Sequence, residues 1–418
     1  MGKHSPVAVA PRYMQEFRCA GSNCPENCCT GWSVTIDKAS FQRYREVRTE
    51  PLQRLVRESL KRSSDGHGKA YASIQMRADG ACPFLDERQL CRIHGELGEQ
   101  ALSDTCSGYP RHYGVDGEQH RLYATLSCPE AARLALSAGD TLDPVALELP
   151  FANPQLVPVI VRRHSVAAEE PDPVRKHARL IGSAVEGLIR LPTLSAAQSL
   201  VQAGLMIRRI ARIESAGEGA GEGADAELAQ AMTRYLSPQA LAQAPAMLGA
   251  LSVPREAQVA NLFDTTQRYL KANSGRTSFR ELLADVERGL ALEQGAAAVV
   301  ARLETAVRDI WAPLEAAHPH LLKNYLLNDL GKSIFPSQGR AEIEREFMSL
   351  ALRFALIKFY ALGLAAWRGG DFGPDDVVRV VYVVARNIEH NRSFLAELLK
   401  EIEAQGNLRL DFLATLVL

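Results

Sequence analysis

The chain has 418 residues, of which 46% are hydrophobic and 23% charged, and its formal net charge is −1. This length suggests two or three domains, and the composition is typical of a globular protein with a substantial core. The near-neutral charge argues against nucleic acid as a dedicated partner, because nucleic-acid-binding surfaces carry a basic excess. The unusual feature is the position of the eight cysteines, which all lie between Cys19 and Cys128.

The first ten residues are too short and too weakly apolar to form the hydrophobic region of a secretory signal. The most apolar stretch, residues 351–366, is interrupted by Arg353 and Lys358 and is predicted to be a buried helix rather than a membrane span. We therefore expect a cytoplasmic protein without membrane insertion. In a reducing compartment, clustered cysteines bind metal or perform redox chemistry more often than they form structural disulfides.

Residues 1–135 are predicted to form a cysteine-rich module that is stabilised by metal. This region is rich in Gly, Pro and aromatic residues and shows little helical periodicity, so its order would depend on metal or cross-links. A short strand is predicted over residues 32–36. Helices are predicted over residues 40–48, 51–62 and 129–137.

Residues 136–418 are predicted to form an all-α domain, so the fold as a whole is expected to be mainly α. Amphipathic spacing predicts helices over residues 174–189, 196–213, 227–235, 255–273, 279–294, 296–310, 341–367 and 374–404. The β-branched run at residues 377–384 is predicted to be part of a buried helix because of its flanks. Residues 215–224 are predicted to be a flexible Gly/Glu-rich linker or loop, since the acidic residues there would repel a phosphate.

The cysteines begin with a dense cluster in which four thiols occur within eleven residues. The pattern is Cys19-x4-Cys24-x3-Cys28-Cys29, and it is interrupted by Gly21 and Pro25. A tight turn in such a segment can direct several sulfurs toward one centre. The remaining four are Cys82, Cys91, Cys106 and Cys128.

All eight cysteines are candidate metal ligands, and Cys24, Cys28 and Cys82 are the first choices. Thiolates suit zinc and iron–sulfur clusters. The spacing lacks the two clean Cys-x2–4-Cys pairs of typical zinc sites, so an iron–sulfur cluster, zinc, and redox thiols or disulfides all stay open. Adjacent side chains diverge, so Cys29 is expected to differ in role from Cys28. His94 is either a mixed ligand with Cys91 or a hydrogen-bonded histidine at a helix start.

At these motifs the sequence resembles the flagellin lysine-N-methylase family, which is related to the cysteine-rich YkgJ-like zinc- or iron-chelating proteins. The resemblance is dense to about residue 135 and thin afterwards. The matching segments are Cys19-x4-Cys24-Pro-x2-Cys28-Cys29-x2-Trp32 with Asp37, Cys82-Pro-Phe-Leu-Asp86, Leu90-Cys-Arg-Ile-His94 with Gly98-Glu99, Thr105-Cys-x2-Tyr-Pro-Arg111, Leu126-Ser-Cys-Pro-Glu-Ala-Ala-Arg133, Asn324-Tyr-Leu-Leu-Asn328 and Phe335-Pro336.

The resemblance implies S-adenosylmethionine-dependent methylation of lysine side chains on flagellin. It also implies a cysteine-ligated centre, a [4Fe-4S] cluster or alternatively zinc. The sequence lacks the strand, Gly-rich turn and following acidic residue of a doubly wound methyl-donor domain. A second class of function therefore stays open, namely a non-enzymatic metal- or redox-responsive binding or adaptor protein.

Methyl transfer requires a deprotonated lysine that is aligned with an electrophilic methyl group. The catalytic candidates are Asp37, Tyr109 and Glu130. The candidates for binding substrate or methyl donor are Trp32, Arg111, Asn324, Tyr325 and Asn328. For the aromatic residues near the cysteines the alternative role is to shield a metal from water. Packing is the alternative for the two asparagines, which would share a helix face at i and i+4, and a structural salt bridge is the alternative for the arginine.

Overall fold

The computed structural model describes residues 7–31, 34–63, 70–149, 160–163, 170, 172–213, 221–272, 277–407 and 409–418. The strands are β1 (Val7–Pro11), β2 (Thr35–Ile36), β3 (Leu60–Arg62), β4 (Ala72–Ile74), β5 (Arg111–Asp116), β6 (Gln119–Ala124), β7 (Pro144–Glu148) and β8 (Ile160–Arg163). The helices up to residue 190 are α1 (Tyr13–Glu16), α2 (Lys38–Arg45), α3 (Leu52–Ser59), α4 (Arg92–Leu97), α5 (Asp104–Gly108), α6 (Pro129–Ala135), α7 (Pro173–Lys176) and α8 (Ala178–Arg190). The later helices are α9 (Ala196–Ala211), α10 (Gly221–Leu236), α11 (Pro238–Gly249), α12 (Arg255–Ala272), α13 (Thr277–Leu290), α14 (Ala296–Ala306), α15 (Ala312–Ala317), α16 (His320–Ser333), α17 (Ile343–Arg368), α18 (Pro374–Val384), α19 (Arg392–Ala404) and α20 (Leu410–Val417).

The larger sheet has five strands in the order β7-β1-β6-β5-β8. Strands β5 and β6 form a hairpin, and Gly117 has the positive φ of +59° that its tight turn requires. Strand β1 pairs in parallel with β6 and antiparallel with β7, in the register Val9↔Ala146. Because β7 and β8 follow residue 135, the expectation of an all-α region from residue 136 is wrong for this segment. Strands β7 and β8 are stabilised by hydrogen bonding to β1 and β5, which the local sequence pattern does not reveal.

The smaller sheet has the order β2-β4-β3 and lies within the cysteine-rich region. The strand expected at residues 32–36 is present as β2, whereas Trp32 and Ser33 lie outside the described residues. The helix expected over residues 51–62 ends at Ser59, and the chain continues as β3. Leu60 pairs with Ile74 there, so pairing across the sheet overrides the local helical pattern.

The buried side chains form two separate hydrophobic cores. The small core consists of buried residues between positions 34 and 101, including Val34, Tyr44 and Phe84, and Cys82 belongs to it. The large core extends from β1 and α1 through the helices to α20, and Cys128 belongs to it. The cysteine-rich segment therefore contributes to both cores.

Helix α17 is the central element of the large core, where it packs most extensively against α13. A Cβ atom at Gly289 of α13 would lie 2.1 Å from the backbone oxygen of Gly363, so glycine permits the close approach of the two helices. Residues Ile343–Asp371 are long and apolar enough to cross a membrane, but 83% of the apolar window is buried within the protein. This burial is typical of a core helix and agrees with the buried helix expected at residues 351–366.

Two expected boundaries in the helical region differ in the structure. Part of the predicted linker, residues 214–220, lies outside the described residues, and α10 begins at Gly221, so positions 221–224 are helical rather than linker. The apolar run at residues 377–384 is helical, as expected. However, the helix predicted over residues 374–404 is divided, because a π-helical segment at Ala385–Glu389 follows α18 and α19 begins only at Arg392.

Candidate functional site

The first cysteine loop is shaped by a 3-10 turn at Gly21–Asn23, with Gly21 at a positive φ of +57°. The Cys24 thiol donates a hydrogen bond to the backbone oxygen of Glu26 over 3.0 Å. The backbone N–H of Cys29 donates to Asn27 Oδ1 over 2.7 Å. These local bonds hold the loop in a compact turn, as its Gly and Pro content predicts.

Backbone pairing brings three distant cysteines to this loop. The N–H of Cys82 donates to the backbone oxygen of Cys29 over 2.8 Å. An isolated bridge between Leu85 and Cys91 closes the next turn, which Asp86 stabilises by accepting the backbone N–H of Leu90. Cys106 lies in α5, whose N-terminus is capped by Ser103. Residues that are far apart in sequence thus meet through short backbone contacts.

None of the eight cysteines is paired in a disulfide, and their electrostatic environments are linked. Burial raises the pKa of Cys82 to about 11 and of Cys106 to about 12. For Cys29 the largest cause of its raised pKa is a hydrogen bond with Cys28. A charge on Cys28 raises the pKa of each of six other cysteines, which are Cys24, Cys29, Cys82, Cys91, Cys106 and Cys128. The Cys28 thiol therefore lies within electrostatic range of six other thiols.

The thiols divide into two sets around Cys28. The small-core thiols are Cys29, Cys82, Cys91 and Cys106, which all belong to or pack against the small core. The junction thiols are Cys19, Cys24 and Cys128. Burial raises the pKa of Cys128 to about 12, with smaller contributions from Cys24 and Cys28, and Cys19 contributes to the raised pKa of Cys24. The small-core thiols thus pack with the small core, whereas Cys128 of the junction thiols belongs to the large core.

The chemistry of this donor set fits zinc or iron. Clustered, desolvated thiols resist ionisation, and a cation stabilises them as thiolates. Within the described residues, no three cysteine, histidine, aspartate or glutamate side chains are already arranged as a metal-binding group. His94 is exposed on α4. Cys91 and Cys128 are the N-cap residues of α4 and α6, where the helix dipole favours a negatively charged ligand atom.

A junction joins the cysteine loop to the helices after residue 320, and we define it by Glu26, Tyr109, Ser127, Arg386 and His390. The Arg386 side chain is 3% exposed; it donates to Glu26 Oε2 over 2.8 Å and to the backbone oxygen of Asn27 over 2.6 Å. The other oxygen of Glu26, Oε1, is buried without a hydrogen-bond partner. A buried charge pair thus holds the loop between Cys24 and Cys28 against the π-helical segment.

A chain of hydroxyl and imidazole groups crosses the same junction. Tyr109 Oη lies 3.1 Å from Ser127 Oγ, and His390 Nε2 lies 2.8 Å from the same oxygen. Burial, followed by the proximity of Cys128, raises the pKa of Tyr109. The imidazole is exposed, so this chain leads from the thiols toward solvent.

Most of the other residues singled out from the sequence make structural contacts. Asp37 caps α2, where it accepts the N–H of Ser40 over 2.8 Å, and it also accepts the N–H of Asp104 over 3.3 Å. Glu130 forms a bidentate pair with Arg133. The guanidinium of Arg111 lies over the ring of Phe17 at 5.4 Å. Trp32 lies outside the described residues. The functional roles assigned to these four residues stay predictions.

Asn324 and Asn328 do share one face of α16, as their spacing predicts. The Nδ2 group of Asn324 donates to the backbone oxygens of Ala135 and Ala138 over 2.9 and 2.8 Å. Asn328 accepts from Tyr13 Oη over 2.7 Å. Its Nδ2 group donates to the backbone oxygen of Ala124 over 3.0 Å. These bonds fasten α16 to the cysteine-rich region.

A network of four buried charges lies on the next face of α16, beside the buried Tyr325. Asp329 lies 2.9 Å from Lys332 and 2.5 Å from Arg353, and Lys332 also pairs with Glu389 of the π-helical segment. Burial alone would raise the pKa of Asp329, but the two cations lower it to about 2. The network connects α16, α17 and the segment that carries Arg386.

Sequence reasoning missed Glu26, Ser127, Arg386 and His390. Two of these residues had a usable signal. Glu26 is an acid placed between ligand candidates, and Arg386 is a cation that follows the apolar run at residues 380–385. Both features indicate a buried charge that needs a partner. The π-helical segment that positions Arg386 has no comparable sequence signal.

Comparison with known proteins supplies the family. Residues 186–416, more than half of the chain, match the FliB lysine N-methylase C-terminal domain. The chain belongs to the FliB lysine N-methylase family. Residues 18–129 match the domain named CxxCxxCC, a putative zinc- or iron-chelating domain. The matched residues include all eight cysteines. The FliB-type helices and the chelating domain meet at the junction.

Curated relatives agree with this assignment. The chain is 25% identical over 407 residues to the lysine-N-methylase of Salmonella typhimurium, with 95% of each chain covered, and equally similar to that of Salmonella choleraesuis. It is 33% identical over 139 residues to the flagellar biosynthetic protein FliU of Salmonella muenchen, covering 32% of this chain and 80% of that protein. No solved structure matches. The protein is therefore a protein-lysine N-methyltransferase, the enzymatic one of the two functions that the sequence left open.

Proposed function

We propose that this FliB-family enzyme transfers methyl groups from S-adenosylmethionine to lysine side chains of flagellin, and that its thiols hold an iron–sulfur centre, a [4Fe-4S] cluster, with zinc as the alternative. The observation that carries the proposal is the junction, where the loop between Cys24 and Cys28 contacts Arg386 of the FliB-type helices. Enzyme sites commonly form where two domains meet. The relatives' names, a lysine-N-methylase and a flagellar biosynthetic protein, support the substrate class.

The junction provides what lysine methylation requires of a protein. A lysine ammonium must lose its proton before the nitrogen attacks, and partial burial favours the neutral amine. The chain Tyr109–Ser127–His390 offers a route by which a proton can pass toward solvent. The unpartnered Glu26 Oε1 is an acceptor for the incoming amine. These residues orient and desolvate the nucleophile.

The metal centre would be held by Cys28 together with thiols from both sets. When bound, an iron–sulfur cluster would supply one-electron chemistry, whereas zinc would supply Lewis-acid chemistry without a redox change. Cys28 is the common element because it contacts Cys29 of the small-core thiols and ends the loop that Arg386 holds at the junction. Arg386 places a fixed positive charge next to this loop.

The described strands do not form the doubly wound parallel sheet of common methyltransferases. The order β7-β1-β6-β5-β8 mixes parallel and antiparallel pairs, and no helix connects β5 to β6. The methyl donor must therefore bind by contacts other than a Gly-rich turn at the end of a parallel strand. We also propose a cytoplasmic location, because clustered cysteines suit metal binding in a reducing compartment.

The test is an anaerobic assay in which metal-loaded protein is incubated with flagellin and S-adenosylmethionine. Peptide mass spectrometry should find additions of one or more methyl groups on lysines. Cys28→Ser should abolish the product, while Cys19→Ser, the same change at an exposed thiol, should retain more of it. Unmodified flagellin with protein whose metal content is verified would contradict the proposal. Visible absorption of the same sample separates a coloured iron–sulfur protein from a colourless zinc protein.

A further inference from the structure

A cavity of about 280 Å³ lies beside the buried charge network. It is bounded by the C-terminal end of α16, the connection to α17, the first half of α17 and Leu399 of α19. The apolar part of its wall is formed by Leu330, Phe335, Leu350 and Leu399. Its volume is close to the lower end of the range for small-molecule sites.

The polar wall of the cavity is one face of α17. Glu342, Arg345, Glu346, Ser349 and Arg353 line it. Glu342, Glu346, Ser349 and Arg353 follow one another at intervals of three or four residues, and Arg345 is adjacent to Glu346. This spacing places them in a stripe on one side of the helix. Most of the remaining surface of α17 is apolar and buried in the large core. A polar stripe that faces a cavity on a core helix indicates a site for a polar ligand.

The stripe offers two arginines whose donors are incompletely used. Arg353 bonds to Asp329 over 2.5 Å and to Ser349 Oγ over 3.2 Å, but its buried Nε has no hydrogen-bond partner. Arg345 makes only long contacts, 4.0 Å to Glu342 Oε2 and 3.4 Å to the backbone oxygen of Ala396. A buried N–H without an acceptor is costly, and a ligand carboxylate would satisfy it.

The charges of the cavity wall define the ligand further. Three carboxylates, Asp329, Glu342 and Glu346, face two guanidinium groups, so the wall carries one net negative charge. A complementary ligand has a carboxylate for the arginines, an ammonium for the acids and one net positive charge. S-adenosylmethionine has this charge pattern, with a carboxylate, an ammonium and a sulfonium group.

The position of the cavity connects it to the junction. Asp329 of its wall is adjacent to Asn328, which bonds to Tyr13 and Ala124 of the cysteine-rich region. Through Lys332 the same carboxylate is linked to Glu389, in the segment that carries Arg386. A chain of ion pairs therefore connects the cavity wall to the π-helical segment that contacts the cysteine loop.

We propose that this cavity binds the α-amino-acid end of the methyl donor, with the donor's carboxylate at Arg345 and Arg353 and its ammonium at Glu342, since both oxygens of Glu346 already accept hydrogen bonds from Ser337. The proposal rests on the proposed function for the identity of the donor. The groups that the cavity would bind are the carboxylate and ammonium of an α-amino-acid zwitterion. A free amino acid carries the same two groups. The apolar wall then accommodates the aliphatic part of the ligand.

The test is isothermal titration of the full-length protein with S-adenosylhomocysteine, which is not consumed and retains the amino-acid end. Arg345→Met and Glu342→Gln change partly exposed residues, so both proteins should fold, and each should weaken binding about tenfold or more. Arg308→Met is the matched control, since Arg308 is 68% exposed and lies outside the cavity wall. This control should bind as tightly as the unchanged protein.

Two further ligands separate the possible sources of binding. 5′-Methylthioadenosine lacks the amino-acid end and should bind more weakly than S-adenosylhomocysteine in the unchanged protein, with no response to Arg345→Met. Free methionine tests the zwitterion alone, and its binding without that of S-adenosylhomocysteine would overturn the assignment to the methyl donor. Undiminished binding of S-adenosylhomocysteine to both cavity variants would overturn the proposal as a whole. These outcomes do not depend on flagellin methylation, so failure of the proposed function is seen separately in the methylation assay.

Discussion

The two cores of the protein are stabilised in different ways. The large core is built on α17, whose long apolar surface is covered by other helices, so hydrophobic burial is the main source of its order. The small core has few buried side chains and short elements, and four cysteines belong to it or pack against it. Small cores of this kind usually need metal or cross-links. The comparison indicates that thiol chemistry completes the small core and connects it to the large one.

The largest effect is expected from Cys82→Ser, which places a hydroxyl at a buried thiol of the small core. Metal content should fall sharply, and the region of residues 34–106 should lose order, because structural metal supplies on the order of 10 kcal/mol to such domains. Far-ultraviolet circular dichroism should retain most of its helical signal. Unchanged metal content in a folded Cys82→Ser protein would remove this residue from the ligands.

Two Phe→Ala substitutions, one in each core, test whether the two cores unfold separately. Phe84 and Phe354 are both fully buried, one in each core. Phe354→Ala should lower the free energy of global unfolding by about 3–5 kcal/mol, because it leaves a cavity in the large core. Phe84→Ala should mainly accelerate metal loss and proteolysis within residues 34–106. Equal effects of both variants on global unfolding would mean that the two cores unfold as one unit.

The connection between the cores is tested by Arg386→Met. This change leaves the partly buried Glu26 carboxylate without its partner, at a cost of about 3 kcal/mol. Metal release measured with a chromogenic chelator should accelerate, and Arg386→Lys should restore part of the difference. If Arg386→Met alters unfolding but leaves the metal-release rate unchanged, then Arg386 does not act on the cysteine loop.

The charge network of the helical region gives a pH dependence. The pKa of Asp329 is about 2 in the folded protein against 3.8 ordinarily, so its ionisation stabilises the fold above that range. This contribution, about 2 kcal/mol, is lost as the pH falls from about 5 toward 2. The difference in unfolding free energy between the unchanged protein and Asp329→Asn, measured by denaturant titration, should therefore narrow over that interval. A constant difference would show that Asp329 is not held ionised by Arg353 and Lys332.

The smallest effect is expected for Glu130→Gln. Glu130 pairs with the exposed Arg133, and surface pairs contribute roughly 0–1 kcal/mol. Unfolding and methylation rates should both stay close to those of the unchanged protein. A large fall in the methylation rate at unchanged stability would instead establish Glu130 as the proton acceptor that the sequence suggested.

The sequence predicted the features that depend on local patterns. The buried helix at residues 377–384, the short strand ending at Ile36 and the shared face of Asn324 and Asn328 all follow from periodicity or spacing. Strands β7 and β8 were missed because their order comes from pairing with β1 and β5, which no local pattern contains. The junction was missed for the same reason, since 360 positions separate Glu26 from Arg386.

The most direct test of the account is hydrogen exchange of metal-loaded and metal-free protein, followed by mass spectrometry. We expect metal removal to expose the amides of residues 34–106 and of the loop at Cys24–Cys28, while α16 and α17 keep their protection. This result would show that the thiols organise the small core and its attachment to the helices. Identical exchange in both states, or a uniform loss of protection over the whole chain, would contradict it.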